Sequence, residues 1–141
     1  MTTKHINKLE YILVDTSVWI NFFKDIQTKS SDFLNDNLAN IIITTCPTIV
    51  QEVLQGIVSD KDRQIIGSYF NNFTHLIEDP YQVAIEAADL YRKLRKEGIT
   101  IRKPNDCLIA AYAIKNDLVL LHDDKDFEFI ASKSGLDTVK F

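Results

Sequence analysis

The chain has 141 residues, of which 45% are hydrophobic and 26% charged, as expected of one soluble globular domain with a core of its own. No apolar run approaches the ~18 residues that a membrane span needs, and the polar start "MTTKHINKLE" lacks the pattern of a secretory leader. A net charge of −4 argues against nucleic-acid binding driven by bulk charge, while leaving room for a local basic patch.

In chain order, "YILV" (11–14) reads as a short buried strand. "TSVWINFFK" then opens a helix with Thr16 or Ser17 as its cap. "SDFLNDNL" (31–38) is a second helix, and the β-branched "NIIITT" (40–45) a second strand. Pro47 starts a helix that Gly56 ends, 60–73 form another, and "THLI" (74–77) is a short strand. The clearest helix is "DPYQVAIEAADLYRKLRKEG": Asp79 caps it, Pro80 starts it and Gly98 stops it. Its apolar stripe runs through 83, 84, 87, 88, 91 and 94. A largely buried helix over 103–116, a strand over 118–122, the short helix "KDFEFIAS" and a strand over 137–141 complete the chain. Strands alternating with helices imply a mostly parallel sheet of about five strands with helices on both faces, an α/β three-layer sandwich. Residues 1–141 form a single domain with neither repeat nor linker.

In such sheets, ligands bind beyond the carboxyl ends of the strands. Asp15 ends the first strand, and Asp124 and Asp126 follow the fourth. Asp106 opens the helix leading into that strand, and Glu52 lies among Val50, Val53 and Leu54 in the helix after the second. Each has an ordinary explanation when taken singly: Asp15 and Asp106 as helix caps, Glu52 on a solvated face, and Asp123, Asp124 and Asp126 as a polar loop. Together they converge on one edge of the sheet, where four or five carboxylates cannot all ionise without a cation. Lysine or arginine could supply it, but a hard divalent ion suits oxygen ligands better, which points to metal-assisted phosphodiester or phosphoryl chemistry. Other chemistries lack their parts. The glycines stand apart at 56, 67, 98 and 135, so no phosphate loop or dinucleotide fingerprint is present, and there is no GxSxG elbow. His5, His75 and His122 are too scattered for a zinc motif. Cys46 and Cys107 lack metal-type spacing and are expected to be reduced and buried, in a cytoplasm.

"LVDTSVWI", "EVLQG", "NDCLIAAYAI" and "LLHDDKDFEFIA", in this order and over nearly the whole chain, resemble the PIN-domain ribonucleases, and within them the VapC toxins of bacterial VapBC toxin–antitoxin pairs. The resemblance makes Asp15, Glu52, Asp106 and Asp124 the catalytic carboxylates. Asp15, Asp106, Asp124 and Asp126 become metal ligands, and Ser17 and Glu52 supports of the site. Asp123 falls at a variable position. His122 departs from the family, which more often has Thr or Ser there. The implied activity is Mg²⁺-dependent endonucleolytic cleavage of RNA, with Mn²⁺ as a substitute, tRNA as the implied substrate and inhibition of translation as the result. Implied partners are a VapB-type antitoxin, which docks near "VWINFF", and a second copy of the chain, with a larger assembly once the antitoxin is bound. A cytoplasmic location away from membranes follows from the same resemblance.

RNA must also be held. Arg92, Lys93, Arg95, Lys96, Arg102 and Lys103 crowd one short segment. Lys93 and Lys96 suit a solvated helix end, whereas Arg95 first, then Arg92 and Arg102, are the candidates for phosphate contacts. Trp19, Phe22 and Phe23 suit packing better than base stacking. Two alternatives stand beside the nuclease. A phosphatase of the HAD type also begins with an Asp at a strand end, but it needs a second Asp two positions on, where Ser17 stands. A non-catalytic PIN-like module that binds RNA or protein would not require the full acidic set.

Overall fold

A computed structural model describes residues 10–141; the polar start of the chain and His5 lie outside the described residues. Five strands form one sheet in the order β3-β2-β1-β4-β5, with every pairing parallel. They are β1 (Glu10–Val14), β2 (Ile41–Thr45), β3 (Thr74–His75), β4 (Val119–Leu121) and β5 (Asp137–Thr138). The seven helices are α1 (Thr16–Phe23), α2 (Lys29–Asn37), α3 (Pro47–Gln55), α4 (Asp60–Asn71), α5 (Pro80–Lys96), α6 (Pro104–Lys115) and α7 (Asp126–Ser132). The expected α/β architecture is therefore present.

Strand order explains where a site can form. From β1 the chain steps outward to β2 and β3, then crosses to the far side of β1 for β4 and β5. Right-handed crossovers place helices of the two directions on opposite faces. The gap between them opens at the carboxyl ends of β1 and β4, the switch point of the sheet. Register holds this junction together. Leu13 pairs with Leu120 and Val14 with Leu121, and the Asp15 amide donates to the Leu121 carbonyl at 2.9 Å. Ile12, Leu13 and Val14 are buried, as a central parallel strand covered on both sides must be. α6 is buried from Asp106 to Ala113 apart from Leu108, which is half-buried, because it presents small or apolar residues all round.

Several boundaries differ from the expected ones, for local reasons. α1 is capped by Asp15, not Thr16 or Ser17: the Asp15 side chain accepts from the Ser17 amide. α2 begins at Lys29, two residues before the expected start, because Thr28 and Ser31 form a reciprocal capping box. β3 and β5 are two residues each, at the sheet edges where only one neighbour rewards extension. His122 lies beyond β4 rather than in it. α5 ends as expected at Gly98, whose φ of +86° glycine alone adopts without strain. The Gly98 amide donates to the Arg95 carbonyl and the Ile99 amide to the Leu94 carbonyl, closing a Schellman turn.

Trp19 fulfils its packing role: its ring lies against Phe22, Phe23, Phe70 and Phe73 with centroids 5.2–6.1 Å away. Thr28 has a second task, since its hydroxyl also donates to Asp123 at 2.8 Å. Replacing Thr28 with Ala should cost about 1 kcal/mol or more, the usual value of a lost cap. Urea denaturation would measure it, and an unchanged midpoint would refute the role of this cap.

Candidate active site

Asp15 sits one residue past β1 and is only 3% exposed. Its Oδ2 accepts from the Ser17 amide at 2.9 Å and the Ser17 hydroxyl at 2.6 Å, while its Oδ1 is buried with no partner. Burial raises its pKa, the bonds from Ser17 oppose that rise, and Glu52 adds to it. Ser17 also accepts from the Asp123 amide at 2.9 Å, so this hydroxyl ties the end of β1 to the loop after β4. No second carboxylate occupies that position, which is why the phosphatase alternative has no support here.

Asp106 enters from the first turn of α6, 4% exposed, with Oδ2 buried and unpartnered. Burial first, then the nearby Asp15, Asp124 and Glu52, push its pKa up to about 7 against the opposing charge of Lys103. Asp124 and Asp126 come from the β4–α7 connection. Together with Asp106 they each offer an oxygen within 4.8 Å of the others. Asp124 Oδ1 accepts from the Asp126 amide at 3.0 Å, which folds the two carboxylates toward each other. Glu52 is held from both sides, accepting from the Thr16 hydroxyl at 2.7 Å and from Asn105 at 3.3 Å. It joins α1, α3 and α6 rather than lying loose on a solvated face.

Cations reach the cluster from within the chain. Lys103 Nζ lies 2.7 Å from Asp124 Oδ2, and Arg102 Nε 3.2 Å from Asp126 Oδ2, with another guanidinium nitrogen 3.8 Å from Asp124. Of the basic residues considered for RNA, Arg102 is thus engaged with carboxylates. Arg95 lies over the Tyr91 ring at 5.7 Å, and Arg92 lines a cleft of about 380 Å³ between α5 and α6. Asp123 takes no part in the acidic cluster: Asn21 and Thr28 both donate to its Oδ2. His122 braces the loop, its Nε2 2.6 Å from Glu128 Oε2 and its Nδ1 accepting from the Asp124 amide at 3.3 Å.

Sequence reasoning gave no role to Lys103, Asn105, Asn21 or Thr28, and considered Thr16 only as a cap. Lys103 and Asn105 did leave a signal, standing three and one residues before Asp106 at a helix start. Beside Glu52 a groove of about 540 Å³ opens, lined by Ile20, Phe23, Val53, Ile57, Val58 and Ile66 among others. Of "VWINFF", Val18 and Trp19 are buried, so Ile20 and Phe23 are the part that reaches this groove. Both cysteines are free and buried, as expected, and among the described residues no helix is long and apolar enough to cross a membrane.

The family model for the PIN domain matches residues 12–133. The chain is 33% identical over 134 residues to Ribonuclease VapC11 of Mycobacterium tuberculosis, spanning 92% of this chain and 98% of that protein. It is 30% identical over 120 residues to Ribonuclease VapC1 of Methanocaldococcus jannaschii, spanning 83% and 79%. The solved structure of DNA-bound VapBC from Salmonella typhimurium shares the fold with a TM-score of 0.70 at 21% identity, over 92% of this chain and 96% of that one. This chain therefore belongs to the PIN-domain family and, within it, to the VapC ribonucleases.

Proposed function

We propose that the protein is a divalent-metal-dependent endoribonuclease and the toxin of a VapBC-type pair. The observation that carries the catalytic reading is the pair of buried, unpartnered carboxylate oxygens, Asp15 Oδ1 and Asp106 Oδ2, beside the Asp106–Asp124–Asp126 cluster. Buried anions left without partners are costly, and an all-carboxylate donor set suits a hard cation. Mg²⁺, with Mn²⁺ as a substitute, would draw its ligands from among Asp15, Asp106, Asp124 and Asp126, and there it would supply the charge that clamps a scissile phosphate and acidifies an attacking water.

The chain's own groups do the rest. Ser17 fixes the rotamer of Asp15 and so aims Oδ1. Thr16 and Asn105 fix Glu52, which orients the site from the α3 side. Arg95, on the exposed side of α5, holds an RNA phosphate flanking the cut, whereas Arg92 lies at the cleft between α5 and α6. Partner surfaces follow from the two apolar depressions. The groove beside Glu52 takes the antitoxin, and the cleft between α5 and α6 takes a second copy of the chain. A tRNA substrate and arrest of translation in the cytoplasm complete the reading.

Purified protein supplied with Mg²⁺ or Mn²⁺ should cleave bulk tRNA, and EDTA should abolish the cleavage. Sequencing of the new RNA ends would identify the target. Equal cleavage with and without EDTA would refute the metal assignment. Expression without an antitoxin should arrest growth, and harmless accumulation of folded protein would refute the toxin reading.

A further inference from the structure

The carboxylates of the site divide into two halves by which of their oxygens already have direct partners. On one side, Asp124 has both oxygens engaged: Oδ2 by Lys103 at 2.7 Å, and Oδ1 by the Asp126 amide at 3.0 Å with an Arg102 nitrogen at 3.8 Å. Asp126 Oδ2 is held by Arg102 Nε at 3.2 Å. On the other side, Asp15 Oδ1 and Asp106 Oδ2 are buried without a hydrogen-bond partner. Resting on the metal-dependent reading above, we propose that the protein takes a single divalent ion at the Asp15–Asp106 half, and that Arg102 and Lys103 serve as a built-in second cation that keeps another ion off Asp124 and Asp126.

The backbone favours this division. The Schellman turn at Gly98 ends α5, and Pro104 starts α6 directly after Lys103. Arg102 and Lys103 are thereby tethered a few residues from Asp106, at an effective concentration that a free ion must outcompete. A second divalent ion would have to break both ion pairs and would then meet two displaced positive charges at close range.

The test is Mn²⁺ binding to the full chain, without RNA, by titration calorimetry and by electron paramagnetic resonance. The parent should bind one Mn²⁺. The double variant Arg102→Ala/Lys103→Ala should bind two, with the paired spins broadening the signal. Both side chains are exposed at the surface, 66% and 58%, so the variant should fold. Arg102→Lys/Lys103→Arg, which keeps the charges, should return to one. Asp126→Asn should still bind one ion, whereas Asp106→Asn should lose it. Two ions on the parent, or one on the double alanine variant, would overturn the proposal while leaving the nuclease reading intact. No Mn²⁺ on any variant, joined to cleavage that EDTA does not stop, would overturn both.

Discussion

Asp15→Asn should lower RNA cleavage by at least about 10²-fold, the scale of a lost charge-stabilising group, while the protein stays folded. The substitution separates two roles that one carboxylate carries. As a cap, Asp15 accepts from the Ser17 amide and hydroxyl through Oδ2, and an Asn oxygen can accept the same bonds. As a site residue it presents Oδ1, buried and unpartnered, and an amide cannot supply a charge there. Asp15→Ala should lose both roles and add about 0.5–2 kcal/mol of destabilisation, the range for removing a cap. Cleavage rate and urea midpoint, measured on both variants, give the comparison. An Asn variant as active as its parent would reduce Asp15 to a helix cap.

Asp106→Asn should move stability and activity in opposite directions. It should abolish metal-supported cleavage and stabilise the metal-free protein at pH 8. The sign follows from the raised pKa. In the folded protein Asp106 titrates near 7, against an ordinary 3.8. Between those values the folded state keeps a proton that the unfolded chain has released, so this group's contribution to stability falls as pH rises from about 4 to about 7. Above pH 7 its full cost is present, at most about 4 kcal/mol for a shift of this size. The difference between variant and parent should therefore grow from near zero at pH 4 to its maximum at pH 8. Urea denaturation in EDTA across that range would measure it, and a difference independent of pH would defeat the argument. Saturating Mn²⁺ should shrink the difference at pH 8, because bound cation favours the ionised parent.

Both expectations describe a site held at the expense of stability. Four acidic side chains at the switch point raise one another's pKa values or require counter-charges. Ser17, Thr16, Asn105, Lys103 and Arg102 are the residues that hold this arrangement together. Removing the charge of Asp106 should make the metal-free protein sturdier and inactive, the usual exchange at sites under electrostatic strain.

Much of this was legible along the chain because it is local. The 3.6-residue stripe and the Asp79, Pro80 and Gly98 punctuation located α5 to within two residues. Alternating strands and helices implied a parallel sheet, and the strand-end position of Asp15 implied a site there. Boundaries slipped where capping chemistry decides and hydrophobic period does not. Thr28 with Ser31 lengthened α2 backward, and Asp15 displaced Thr16 as the cap of α1. The two edge strands came out short because extension there depends on a single neighbour.

By itself, then, the sequence determined the order and kind of the elements and the acidic residue types delivered to the carboxyl edge of the sheet. These follow from periodicity, caps and strand ends, all of which act over a few residues. Only the tertiary structure decided which carboxylates share space and which are already answered. It brought Asp106 together with Asp124 and Asp126, gave Asp123 to Asn21 and Thr28, and turned Arg102 and Lys103 onto the cluster. Those partners stand 18 to 102 residues apart in the chain, as Asp106 does from Asp124 and Asn21 from Asp123. Coulomb energy and desolvation depend on distance and burial in three dimensions, and no local pattern carries that information.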